Sequence, residues 1–201
     1  MSRSVRHLRF GFEILLIAGL AACTSLNFGT AITTNLRALD YLNDDIANLV
    51  FALDLPYQLA PVPEDSEVAF DIVVASQGER HVTAILIRAD ADTIMGTLPP
   101  PTEGRGYYVL AFSDDDKTKI REAQEWVRSV RETAGNPVDG EFSLGISPAF
   151  CATQPVNLLR ATFSVYITLP GEEPLQPLIA NRGLSDELGA AGAQALPDCA
   201  A

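Results

Sequence analysis

Few side chains in this sequence have the types and spacing that catalysis or metal binding requires. The 201 residues include two histidines and three cysteines, so a histidine-dependent triad or a tetrahedral zinc site has few candidate members. His81 follows a predicted hairpin turn, where a solvated imidazole is at least as expected as a catalytic one. The motif Gly104-Arg105-Gly106 lacks the third glycine of a dinucleotide-binding loop and precedes a predicted strand. The sequence therefore predicts no catalytic residue, no metal ligand and no cofactor.

Carboxylates are the abundant class of reactive side chain. Residues 114–116 are consecutive aspartates, whereas a calcium-binding EF-hand loop places its ligands at alternate positions. Asp90 and Asp92 do alternate, but the glycine and the distal glutamate of such a loop do not follow them. A glycosidase pair comes from positions distant in sequence. A hydrolase based on scattered carboxylates or on His81 is therefore kept as an alternative.

The N-terminus has the arrangement of a secretory signal peptide. Three arginines precede an apolar run over residues 14–22, and this run ends in Leu20-Ala21-Ala22-Cys23. Because a membrane-spanning helix needs about 20 apolar residues, the run is too short to cross a bilayer. Small residues directly before a cysteine resemble the lipobox of bacterial lipoproteins. This resemblance implies that the signal is cleaved before Cys23 and that Cys23 becomes an acylated N-terminus.

The resemblance divides the chain into three parts. Residues 1–22 are the lipoprotein signal peptide, residues 23–32 are the lipidated N-terminus with a short tether, and residues 33–201 have the length of a single globular domain. Lipidation, for example by palmitate, would hold the domain on the periplasmic side of the cell envelope. Both the inner and the outer membrane are compatible with this anchor.

The mature chain is strongly acidic. Three arginines and one glutamate leave with the signal, so 11 basic and 25 acidic residues remain, and the net charge is −14. Such a charge repels phosphates, which argues against nucleic acid as a partner. Attachment to a membrane therefore has to come from the lipid rather than from basic side chains.

Two cysteines remain once Cys23 carries lipid. Export to an oxidising compartment predicts a single disulfide between Cys151 and Cys199, and two buried thiols are the alternative. His7 leaves with the signal, so His81 is the one histidine of the mature sequence.

Hydrophobic periodicity predicts two main helices. One begins near Thr33 and ends before Pro56, with apolar residues at helical spacing between them. The other follows Ser113, a typical helix cap, and continues to about Thr133. Trp126 falls at the edge of the buried stripe of this second helix rather than in its middle.

Alternating apolar residues predict five strands, over residues 67–76, 80–88, 107–112, 140–147 and 158–169. The first two are expected to form a hairpin around a turn at residues 77–79. The second is apolar on both faces, which is typical of a central strand. In the fifth, one face is polar and is expected to meet solvent. The pattern predicts an α+β domain with an antiparallel sheet of about five strands and two main helices. A β-sandwich with helical insertions is the alternative.

These features favour a non-enzymatic function, namely a membrane-anchored envelope lipoprotein that binds or scaffolds another envelope protein. Trp126 is a candidate contact because tryptophan is enriched among interface hot spots. The proline-rich loop before the third strand is stiff and suited to recognition, and its candidate contacts are Pro99, Pro100, Pro101 and Arg105. The alternatives are a periplasmic carrier of an apolar ligand and the hydrolase described above.

Overall fold

A computed structural model of the chain describes residues 41–75, 77–90, 94, 98–134, 140–168, 175–192 and 196–199. The predicted signal peptide, Cys23 and the tether lie outside these residues. Within them the chain forms two helices, α1 (Asp114–Ala134) and α2 (Leu184–Gly192). The strands are β1 (Val50–Pro56), β2 (Leu59–Pro61), β3 (Glu67–Val74), β4 (Gly78–Arg88), β5 (Arg105–Phe112), β6 (Gly140–Ser147), β7 (Phe150–Ala152), β8 (Thr162–Thr168) and β9 (Gln176–Gly183).

Seven of these strands form one sheet, in the order β6-β3-β4-β5-β1-β8-β9, and every pair of neighbours is antiparallel. The prediction of helices combined with an antiparallel sheet is confirmed. The sheet has seven strands, however, rather than the predicted number of about five. In the described residues the second sheet has only two strands, β2 and β7, so this part of the chain does not form the alternative β-sandwich. The short strands β2 and β7 lack a pattern long enough to recognise.

The prediction of a helix reaching Pro56 is wrong for the described part of that segment. Residues 46–48 form a single 3-10 turn, and β1 follows directly. β1 lies in the middle of the sheet between β5 and β8, and its inner five residues are buried on both faces. A strand covered on both sides is apolar throughout, and periodicity alone does not separate such a run from a buried helix.

The predicted second helix is confirmed as α1, and its start has the expected cap. The hydroxyl of Ser113 accepts a hydrogen bond from the backbone N–H of Asp116 at 3.2 Å and donates one to the Asp116 carboxylate at 2.8 Å. This satisfies one of the backbone donors that a helix leaves without a partner at its N-terminus. The buried residues Ile120, Ala123 and Val127 join one core with the apolar side of the sheet.

The polar face of β8 does not meet solvent as predicted. Ser164 and Thr168 are buried, and Ser164 accepts a hydrogen bond from the backbone N–H of Asn181 in β9 at 3.0 Å. On the side of the sheet opposite α1, a second apolar cluster covers this region, and Ile94 and Leu175 from connecting segments belong to it. Coverage of this second face came from segments without periodicity, so the sequence pattern did not predict it.

Candidate functional site

We call one surface of the sheet the open face. It is the side of β3, β4 and β6 that faces away from α1. The strand registers arrange its residues in four rows that cross the three strands in the order β6, β3, β4. These rows are Glu141–Val73–Glu79, Ser143–Asp71–His81, Gly145–Ala69–Thr83 and Ser147–Glu67–Ile85. A methyl group added at Gly145 would meet no atom within 4 Å, which fits an uncovered surface.

Four polar side chains of the open face form a continuous hydrogen-bonded chain. His81 Nδ1 lies 2.6 Å from Asp71 Oδ1, and His81 Nε2 lies 3.1 Å from Thr83 Oγ1. Ser143 Oγ donates to the second oxygen of Asp71 at 3.4 Å. When Nδ1 carries the proton, the ring donates to Asp71 and accepts from the Thr83 hydroxyl. The order hydroxyl, imidazole, carboxylate is the order that activates a nucleophile in hydrolytic triads.

Exposed apolar side chains lie on the same face. Val73, Ile85 and Ile87 are 43 to 46 % exposed, which is unusual for branched side chains within a sheet. Val73 stands between Glu79 and Glu141 in its row, so carboxylates flank it on both neighbouring strands. The open face therefore has exposed apolar side chains in its two outer rows, with the polar rows of Asp71 and Thr83 between them.

Trp126, the first sequence-predicted contact, lies on the α1 side of the sheet. Its ring is half-buried and packs against the main core. The guanidinium carbon of Arg80 lies 4.7 Å from the ring centroid, a cation–π geometry. Most of the ring is therefore used within the domain.

Arg105, another sequence-predicted contact, is part of a largely buried ion pair. Its Nε donates to Asp54 Oδ1 at 2.8 Å, and its Nη2 donates to the backbone carbonyls of Asp54 and Thr162 at 2.9 and 3.1 Å. One guanidinium thus joins β1, β5 and β8. Burial, followed by the nearby Asp54 charge, raises the pKa of the adjacent Tyr107.

The structure does not bring the candidate contacts into one surface. The side chain of Asp54 alternates with those of Leu53 and Leu55 in the main core, so the Asp54–Arg105 pair lies on the opposite side of the sheet from Trp126. Pro99, Pro100 and Pro101 are exposed in the segment before β5. Their role in binding stays a prediction.

Cys151 and Cys199 lie at bonding distance, with their sulfur atoms 2.08 Å and their Cα atoms 4.9 Å apart. This geometry is compatible with the predicted disulfide. The C-terminal segment also pairs with β7 through its backbone, since the N–H of Ala152 donates to Pro197 and the N–H of Cys199 donates to Ala152. The pair therefore fastens the end of the chain to the small β2–β7 sheet.

A groove of about 520 Å³ runs between α1 and residues 43–45. Gln124 and Arg128 of α1 donate to the backbone carbonyls of Tyr41 and Leu42 here, at 2.6 and 2.8 Å. Burial raises the pKa of Tyr41 to about 12, although the Arg128 charge acts to lower it. The lining is mostly charged or amide side chains, whereas pockets for apolar ligands are lined by apolar ones. The groove thus gives no support to the carrier alternative.

Within the part of the chain that the structure describes, no three histidine, cysteine or acidic side chains converge as metal ligands would. Neither described helix combines the length and the apolar character needed to cross a bilayer. No protein-family model, curated protein or solved structure matches the chain.

Proposed function

We propose that this chain is a membrane-anchored envelope lipoprotein whose domain binds another envelope protein through the open face. The observation that carries the binding role is the exposure of Val73 and Ile85 in the two outer rows of the open face, and of Ile87, two residues beyond Ile85 on the same side of β4. In the described residues they are three of the five large apolar side chains that are exposed. Burying them against a partner would gain about 25 cal/mol per Å² of apolar surface removed from water.

The charges of the open face define the chemistry of its partner. Glu67, Asp71, Glu79 and Glu141 are exposed on it, and His81 is paired with one of them. A complementary protein surface has lysines or arginines opposite these carboxylates and apolar side chains opposite Val73 and Ile85. The net charge of −14 in the mature sequence would also speed the encounter with a basic partner and repel acidic ones.

The first described residues lie away from the open face. The backbone of Tyr41 and Leu42 is bound by α1 side chains, on the side of the sheet opposite the open face. Between Cys23 and Tyr41 there are 17 residues, which span at most about 60 Å when fully extended. A lipid anchor at Cys23 would therefore hold the described residues within about 60 Å of the membrane.

The anchor is tested by the variant Cys23→Ala. We expect this change to abolish metabolic labelling with fatty acid and to leave the precursor uncleaved, because the acylated thiol is the group that maturation acts on. The variant Thr24→Ala is the matched control, since it changes the residue next to Cys23 and keeps the thiol, so it should mature normally. Labelling and membrane retention of the Cys23→Ala protein would overturn the anchoring proposal.

The binding surface is tested by reversing its charge. The double variant Glu79→Lys/Glu141→Lys places two positive charges beside Val73 and should repel a basic partner, so the complex trapped by formaldehyde in intact cells should be lost. Glu132→Lys, on an exposed part of α1, is the matched control and should leave that complex unchanged. Equal trapping in the double variant would show that the partner does not bind at the open face.

A further inference from the structure

We propose that the open face also carries an ester-cleaving site, in which Thr83 is the nucleophile, His81 is its general base and Asp71 is a positioning residue. This activity goes beyond the binding role proposed above. It stands on the contacts of these three side chains, and it does not depend on a protein partner.

The sheet places the three groups in the required order. Asp71 and His81 are directly opposite each other on neighbouring antiparallel strands, where side chains on one face are closest. Thr83 is two residues beyond His81, so it lies on the same face of β4. The distances of 2.6 Å from Asp71 Oδ1 to His81 Nδ1 and 3.1 Å from His81 Nε2 to Thr83 Oγ1 lie within hydrogen-bond reach.

The carboxylate of Asp71 holds the ring in one tautomer. Its hydrogen bond with Nδ1 leaves the lone pair of Nε2 directed at the Thr83 hydroxyl. Ser143 donates to the other oxygen of Asp71, which fixes the orientation of the carboxylate. This support comes from three adjacent strands, so the positions of all three groups are set by the sheet rather than by a loop.

The proposed reaction is a two-step acyl transfer through an acyl-Thr83 intermediate. Thr83 Oγ1 attacks the carbonyl carbon of an ester, a new C–O bond forms, and the hydroxyl proton passes to His81 Nε2. The bond to the leaving oxygen breaks, and the alcohol departs with the proton from Nε2. Water then attacks the acyl-Thr83 ester, gives its proton to His81 Nε2, and releases the carboxylic acid as Thr83 recovers its proton. The net change is ester plus water to acid plus alcohol.

A backbone donor lies beside the nucleophile. Ile85 directs its N–H away from β3, since that group donates to Asp116 of α1 at 3.1 Å. Alternate residues of a strand point their N–H groups to the same edge, so the N–H of Thr83 also points away from β3. The described ladder between β4 and β5 begins only at Leu86. In the proposed reaction the N–H of Thr83 is the donor to the developing oxyanion.

The surroundings define the class of ester. Ile85 follows Thr83 on the same face and offers an apolar contact for an acyl group, while Glu67 is exposed in the same row as Ile85. A neutral or cationic ester is favoured over an anionic one, because the carboxylates repel negative charge. The uncovered surface suits an ester group on a larger molecule.

The test uses the full chain, purified in detergent, with p-nitrophenyl acetate as the probe. Thr83→Val removes the hydroxyl while keeping the shape, and His81→Gln removes the base. We expect each to lower the rate of hydrolysis by about 100-fold, while Thr83→Ser retains it. Trypsin releases residues 81–88 as one peptide, which should carry an acetyl group on Thr83 in rapidly quenched samples.

Asp71→Asn separates positioning from a purely structural role. It should lower kcat more than it raises KM and should change the pH profile of the rate, because the ring is then free to take the other tautomer. Thr118→Val is the matched control, since this exposed helix hydroxyl lies on α1, and the variant should hydrolyse the probe at the normal rate.

Two results would overturn the proposal. The first is a wild-type rate no higher than that of an unrelated protein with the same number of lysines. The second is an unchanged rate in Thr83→Val. If His81→Gln also lost activity in that case, the imidazole itself would be the nucleophile. Neither result affects the binding proposal, because that proposal is tested by complexes trapped in cells.

Discussion

The guanidinium of Arg105 lies 2.8 Å from the carboxylate of Asp54, and both side chains are less than one-fifth exposed. Removing one partner of a largely buried ion pair leaves the other charge without compensation. Arg105→Met, which keeps the length of the side chain, should therefore lower the free energy of unfolding by about 3 kcal/mol in urea titrations. Arg131→Met, at the exposed end of α1, should change it little. If Arg105→Met lowered the free energy of unfolding no more than Arg131→Met does, the ion pair would contribute nothing to stability.

Substitution of Trp126 tests whether this residue has a structural role or a binding role. Because its half-buried ring packs on the main core under Arg80, Trp126→Ala should lower the free energy of unfolding by about 2 kcal/mol. Trp126→Phe should lower it less. The complex trapped in cells should persist in both variants. A stable Trp126→Ala protein that loses its partner would instead place the binding surface on α1.

Protonation of the Asp116 carboxylate should contribute to the loss of folding stability in acid. Burial acts to raise its pKa, but hydrogen bonds from Lys119, Ser113 and the Ile85 N–H outweigh burial and hold the pKa below its ordinary value. The folded state therefore binds this proton less readily than the unfolded chain, whose carboxyl has a pKa of about 3.9. The resulting stability is present above that pH and is lost as the pH falls through the folded-state pKa.

Asp116→Asn tests this contribution. The variant should be less stable than the wild type at pH 7, and its free energy of unfolding should depend less on pH between about 5 and 3. Urea titrations at a series of pH values measure both effects. Parallel pH profiles for the two proteins would contradict the prediction.

The pair Cys151 and Cys199 closes a segment with a sequence separation of 48. In the chain-entropy model a disulfide over this length stabilises the folded state by about 4 kcal/mol. Cys199→Ser should therefore unfold at a lower urea concentration than the wild type. Mild reduction of the wild type should lower its urea midpoint to that of the variant. Two thiols that react with an alkylating agent in the oxidised, folded protein would contradict the pairing.

The elements with local signals are those that the sequence predicts well. Alternation located β3 and β4, and the cap at Ser113 located the start of α1. β1 was missed because burial on both faces removes the polar residues that reveal the period of a strand. The strand β9 follows a proline-rich segment and contains Asn181 with a positive φ of 49°, so its pattern is interrupted.

The polar chain of the open face depends on the register of one hairpin. A turn at residues 77–79, as predicted, would place His81 opposite Ala75. In the structure the turn is centred two residues earlier, and His81 faces Asp71 instead. The shift preserves which side chains share a face but changes every row. The sequence therefore identified His81 as a candidate without identifying the carboxylate and the hydroxyl that it binds.

The most direct test of the binding proposal is site-specific photo-crosslinking in intact cells. A benzophenone amino acid replaces Ile85 on the open face, or replaces Leu159, which is 80 % exposed elsewhere on the domain. The proposal predicts that light produces one defined adduct with an envelope protein from position 85, that position 159 does not produce it, and that the double variant Glu79→Lys/Glu141→Lys abolishes it. Absence of an adduct at position 85, or the same adduct from both positions, would contradict it.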